Sequence, residues 1–192
     1  MITPLYLGSG KRFVGVLAPR EKNLIWDQLN ADYKIRFDFL LYSYIRIAEG
    51  YHFLNHFDYY RKDNHHIFFP NVEAIGKKRC TIKNRAVALS TKGLDAVDLF
   101  IQKKVGLTAY QNMEAALKRA AFDADFELKY ITTKMLRKTY ISWLMAVYPE
   151  KQMQISFSAG HDYSTMRKHY LTFGWKKSDI EEMKAEVLGW GE

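Results

Sequence analysis

Residues 132–170 read TTKMLRKTYISWLMAVYPEKQMQISFSAGHDYSTMRKHY. Apolar residues recur at helical spacing from Thr132 to Tyr148. Pro149 ends that helix, because its ring removes a donor and clashes with the preceding turn. Gln152–Ala159 and Tyr163–Tyr170 are two further short helical stretches, separated by Gly160. Three groups that can handle a phosphate lie along this run. They are Arg137 in the long helix, His161 directly after Gly160, and Tyr170, which follows the histidine by 170 − 161 = 9 residues.

Outward from this stretch the chain is mostly helical. Gly93–Lys104 and Tyr110–Ala121 carry helical periodicity. Ser178 followed by Glu181 predicts the start of a final helix that runs to about Leu188. Met183, Val187, Leu188 and Trp190 give this tail an apolar stripe, suited to its own domain or to a neighbouring protomer. Residues 65–89 differ, with β-prone runs at Ile67–Phe69 and Ala86–Leu89 around basic, Gly-containing turns, so a small antiparallel sheet is expected there. Nearer the N-terminus, Pro19 is placed to open a helix and Asp32 to cap a second one, through Phe37, Leu40, Leu41, Tyr44 and Ile45 towards Leu54. Residues 1–18 read as an irregular arm or short strand. The expected division is an arm at 1–18, one domain at 19–177 and a C-terminal helix and tail at 178–192.

Composition narrows the function classes. The chain has 192 residues with 48% hydrophobic and 15% aromatic content, enough for a sizeable core and far from the composition of disordered chains. Its net charge is 29 − 21 = +8, which makes an anionic partner the first expectation. The single cysteine, Cys80, cannot form an internal disulfide and fits a reducing, intracellular setting. No apolar run is long enough to span a bilayer, so no membrane partner is expected.

Taken singly, each candidate residue has a plain structural reading. An arginine on an amphipathic helix is usually solvated, and Tyr170 is one of 13 tyrosines. The pattern as a whole resembles the catalytic region of the tyrosine recombinases, the phage-integrase family. That family has H-x-x-R, then L-G-H, then a tyrosine nine residues after that histidine. Here the pieces are Lys134-x-x-Arg137, Ala159-Gly160-His161 and His169-Tyr170. Upstream, LLYSYIRIAEGYHFL supplies Arg46 and Glu49 in the family's R-x-x-E pattern, without its usual preceding glycine. Between the two arginines the family has a β-hairpin with a catalytic lysine. The segment IGKKRCTIKNRAVAL offers Lys77, Lys78 and Lys83, of which Lys78 in the Gly-x-Lys-Arg turn is chosen.

The resemblance spans roughly residues 20–175. It implies an α+β, mainly α-helical fold with a small antiparallel sheet, and a recombinase or integrase that cleaves and rejoins double-stranded DNA. It further implies a 3′-phosphotyrosyl link made by Tyr170, with Arg46, Arg137, His161, Lys134 and a hairpin lysine around the phosphate. Glu49 is read as orienting an arginine. No metal or other cofactor is implied, and productive recombination would need a homotetramer on two DNA sites, assembled from a free monomer.

Two departures matter. Lys134 stands where the family has histidine, and at neutral pH an ammonium donates hydrogen bonds but does not easily accept a proton. Some archaeal viral integrases look similar at this position. Second, the roughly 35 residues before the first matching helix are too few for the family's separate N-terminal domain, so either a catalytic domain cut from a longer protein or an unusually short member is expected. The alternatives are a type IB topoisomerase-like enzyme that relaxes DNA, and a catalytically inactive DNA-binding relative. His52 and His56, spaced i, i+4, and the adjacent His65-His66 lack an acidic or cysteine ligand pattern and are read as packing or surface residues.

Overall fold

A computed structural model describes residues 1–9, 12–70, 84–161 and 174–192. The centre of the fold is the helix α6, Thr133–Val147. Eleven of its fifteen residues are buried, from Thr133 through Met145, so it is enclosed on nearly every side. It ends before Pro149, and a short 3-10 turn, Pro149–Lys151, leads into α7, Gln152–Ala159. Gly160 closes α7 in the left-handed conformation, at φ +63°, which glycine adopts without steric cost.

Against α6 pack α2 (Ala31–Tyr42), α5 (Tyr110–Asp123) and the C-terminal α8 (Lys177–Glu186), with α1 (Pro19–Asp27) on α5 and α8, α4 (Thr91–Lys103) on α2, and α3 (Ile47–Phe53) following α2 in the chain. Helix α2 lies against both α4 and α6. The α2–α4 seam is aromatic, with Phe39 and Phe100 stacked at 4.0 Å between ring centroids and both buried. Such a pair adds roughly 0.5–1.5 kcal/mol beyond the area it removes from water.

Two small antiparallel sheets complete the architecture. Of the two readings of residues 1–18, irregular arm or short strand, the structure has strand. These residues contain a hairpin of β1 (Leu5–Ser9) and β2 (Arg12–Val16), and β2 docks along α6. Val14, Val16 and Leu17 are buried there. Two polar bonds fix the register of this contact: the Leu17 N–H donates to Thr139 Oγ1 at 3.1 Å, and Trp143 Nε1–H donates to the Leu17 carbonyl at 2.8 Å. The second sheet orders β3 (Tyr60–Arg61), β4 (His66–Phe69) and β5 (Arg85–Ala88), with Phe69 opposite Arg85. Strands β4 and β5 are the small sheet expected within residues 65–89, and β3 extends it beyond that range.

Several helix starts differ in detail from the expectation. Asn30, not Asp32, caps α2, its Oδ1 accepting the Tyr33 N–H at 3.0 Å. Asp32 lies inside the first turn. The long helix expected from Asp32 towards Leu54 is broken, because Tyr44 takes φ +37° and α3 begins afresh after Arg46. Asp179, rather than Glu181, turns back to the start of α8, accepting the Lys176 N–H at 3.3 Å. The helix begins at Lys177, one residue before the expected Ser178.

The C-terminal segment packs on its own domain. Met183, Val187 and Trp190 are fully buried, and Trp190 Nε1–H donates to Tyr44 Oη at 3.2 Å. Glu186 of α8 is held by Lys22 at 3.5 Å, Lys92 at 3.0 Å and the Tyr42 hydroxyl at 2.5 Å, which ties α8 to α1, α4 and α2.

Candidate active site

The break after α2 sets the first part of the site. With Tyr44 at positive φ, Arg46 falls at the N-terminal cap of α3, in extended conformation at φ −72° and ψ 147°. Glu49, three residues on, folds back over that cap. Its Oε2 accepts the Arg46 backbone N–H at 2.6 Å and its Oε1 accepts Arg46 Nη1 at 2.7 Å. The carboxylate therefore satisfies an otherwise orphaned helix donor and fixes the Arg46 side chain together.

The second part comes from α6. Arg137 lies on its buried face, and its Nη1 donates to the Tyr44 carbonyl at 2.5 Å. Its Nη2 donates to the Ala159 carbonyl and lies 3.1 Å from His161 Nε2. A guanidinium only donates, so in this contact Nε2 accepts and the imidazole proton sits on Nδ1. The third part is the end of α7. Arg46 Nη2 donates to the Gly160 carbonyl at 3.2 Å, so both arginines grip the turn that presents His161.

A third guanidinium completes the cluster. Arg85 on β5 donates from Nη1 to the Ala159 carbonyl at 3.0 Å and from Nη2 to Glu49 Oε2 at 2.8 Å. Phe69, its partner across the sheet, lies beside its guanidinium at 5.7 Å. Sequence reading missed this residue, because basic residues near turns are usually solvated. A signal existed in the strand's alternation: Arg85 and Val87 are two residues apart and both point inward. Gly160 makes room for it, since a Cβ there would lie 2.1 Å from Arg85 Nη1.

The cluster is graded in exposure. The side chain of Arg46 is 42% exposed, Arg137 11%, Arg85 6% and Glu49 3%. Three guanidiniums against one carboxylate leave 3 − 1 = +2 charges in a nearly dry setting. Burial by itself would push the Glu49 carboxyl up. Arg85, Arg137, Arg46 and the Arg46 N–H outweigh it and hold the group below its usual range. Burial lowers the Arg85 pKa, and the nearby Arg46 charge adds to this, while the Glu49 carboxylate opposes it.

The geometry thus brings together Arg46, Glu49, Arg137 and His161, all singled out in the sequence. Lys134 is exposed on α6, one turn before Arg137. Burial, reinforced by the Lys134 charge, lowers the pKa of the neighbouring Lys138. Tyr170 and the hairpin lysines Lys77, Lys78 and Lys83 lie outside the described residues. His52 and His56 are packing residues: their rings lie 4.4 Å apart and His56 stacks on Tyr59 at 4.8 Å. Among the described residues, no cluster of three or more His, Cys, Asp or Glu could hold a metal ion, and no helix is long and apolar enough to cross a membrane.

Comparison with known proteins bears on the fold. No protein-family model matches the chain, and no curated protein does. The chain is similar to the crystal structure of XerA recombinase, with a TM-score of 0.60 and 16% sequence identity over 89% of this chain. It spans 64% of that recombinase's length. The likeness is one of fold: a mainly helical domain with small antiparallel sheets, in agreement with the tyrosine recombinase catalytic-domain fold expected from the sequence.

Proposed function

We propose that this chain is a site-specific DNA recombinase of the tyrosine type, acting on duplex DNA through Tyr170. The observation that carries the reading is the convergence of Arg46 and Arg137, from separate helices, on the turn that holds His161. Negative charge builds on the non-bridging oxygens of a phosphodiester under attack. Fixed guanidiniums in a water-poor pocket stabilise that charge without reorganising.

In this mechanism the scissile phosphate takes the place of protein acceptors on Arg46 and Arg137, and His161 adds a further hydrogen bond from a ring N–H. The Tyr170 oxygen attacks phosphorus, the bond to the 5′-oxygen breaks, and a 3′-phosphotyrosyl link forms. The 5′-oxygen leaves as a hydroxyl with a proton from a hairpin lysine, Lys78 being the first choice beside Lys77 and Lys83. The phenol, with an ordinary pKa near 10, loses its proton more easily beside the surplus cationic charge. Lys134 donates to the phosphate as an ammonium, and it supports a reading close to the archaeal viral integrases. The net charge of +8 supplies salt-dependent affinity for the DNA backbone. Strand exchange would use four protomers on two duplexes, inside a cell that holds the target DNA.

The test is a pool of nicked suicide duplexes with randomised cores, incubated with the chain and resolved under denaturing conditions. Wild type is expected to form a covalent protein–DNA adduct, and Tyr170→Phe, Arg46→Ala and Arg137→Ala none. Adduct with relaxation of supercoiled plasmid but no exchange between paired sites would favour the topoisomerase-like reading. Absence of any wild-type adduct would leave a DNA-binding relative.

A further inference from the structure

We infer that Arg85 is a positioning residue of this site, clamping the Glu49 carboxylate so that it grips Arg46 and stays off Arg137. The inference rests on the reading of the cluster as a phosphate cradle.

Arg85 is an expensive residue to keep. Taking a guanidinium out of water is strongly unfavourable unless good partners replace the water. Its side chain is only 6% exposed, and among the described residues its Nε has no hydrogen-bond partner. An apolar side chain beside Phe69 would pack in the same sheet at lower cost. It also lies behind Glu49, deeper than Arg46, so it is poorly placed to touch DNA itself.

Its position explains what the charge does. Glu49 Oε2 lies 2.8 Å from Arg85 Nη2 and 4.0 Å from Arg137 Nη1, so the two guanidiniums face the same oxygen. Arg85 holds the nearer place. Without it, the other guanidinium facing Glu49 Oε2 is that of Arg137, at 4.0 Å, and a swing towards it would loosen Oε1 from Arg46. It would also offset the Arg137 charge next to His161. The net charge of the cluster would fall from +2 to 2 − 1 = +1. The second bond of Arg85, to the Ala159 carbonyl, braces the end of α7 that presents His161.

Four variants test this on the full chain: Arg85→Lys, Arg85→Met, Glu49→Gln and the Arg85→Met/Glu49→Gln double. Single-turnover cleavage of a nicked duplex is measured from pH 5 to 9, beside DNA affinity and urea midpoints. Arg85→Met is expected to slow cleavage roughly 10- to 100-fold with little change in affinity, the size of loss seen when a group orienting a contact residue is removed. Its rate should also fall at a higher pH on the acid side than wild type, because Glu49 then faces only Arg46 and Arg137 and is held down less. Arg85→Lys should recover part of the rate. The double variant removes the buried carboxylate together with its nearest cation and leaves Arg137 on its backbone-carbonyl partners, so it should regain part of the folding stability but not cleavage. Wild-type adduct together with an unchanged rate and pH profile in folded Arg85→Met or in the double variant would overturn the inference and leave the recombinase reading standing. No adduct from wild type would overturn both.

Discussion

Replacing Gly160 with alanine should cost far more stability than a left-handed alanine alone, and the excess should depend on Arg85. Gly160 sits at φ +63°, where a residue with a Cβ costs on the order of 1 kcal/mol. The added Cβ would also lie 2.1 Å from Arg85 Nη1 and 3.1 Å from its Cδ. The guanidinium must move, and it then gives up its bonds to Ala159 and Glu49. Hydrogen bonds involving charged groups contribute about 1.5–3 kcal/mol each, so losing even one brings the expected total to about 3 kcal/mol. The control is Gly160→Ala made in an Arg85→Ala/Glu49→Gln background. There the clashing atoms are gone, the Glu49 charge has been removed along with that of Arg85, and only the backbone cost of about 1 kcal/mol should remain. Urea unfolding of the four proteins gives the coupling, expected at about 2 kcal/mol. Equal costs in both backgrounds would refute the claim that Arg85 packs against the α7 terminus.

Two further expectations follow from buried polar groups elsewhere. Thr139→Val keeps the side-chain shape but strands the buried Leu17 N–H. It should cost about 1–3 kcal/mol in urea unfolding, while Thr139→Ser should cost less. Asp38 accepts from Trp26 Nε1–H at 3.0 Å, and burial pushes its carboxyl up to about 6. Its folded pKa lies above the ordinary 3.8, so the folded state binds the proton more tightly and stability should fall as pH rises from about 4 to 6. In Asp38→Asn that part of the slope should vanish, as read from urea midpoints across the range.

Much of this fold is legible in local signals. Pro149 and Gly160 mark the ends of α6 and α7 because one residue cannot continue a helix and the other tolerates positive φ. The apolar runs at Ile67–Phe69 and Ala86–Leu89 become β4 and β5. The break at Tyr44 is not legible, since neither glycine nor proline marks it. It is held by tertiary contacts: the Tyr44 hydroxyl donates to the Ala88 carbonyl and its own carbonyl accepts from Arg137. The hairpin at the N-terminus reads weakly for a similar reason, as its inward residues acquire a partner only when α6 is in place. Within the site, Arg46, Arg137 and His161 stand out through the family spacing. Arg85 does not, because its role arises from three elements meeting behind Glu49, and no spacing in the chain encodes that meeting.

The most direct test of the central claim is to digest the protein–DNA adduct with nuclease and protease and locate the residual nucleotide by mass spectrometry. The account predicts a single 3′-linked nucleotide on the phenolic oxygen of Tyr170, absent in Arg46→Ala and Arg137→Ala. A nucleotide on any other residue, or an adduct that persists undiminished in both arginine variants, would contradict it.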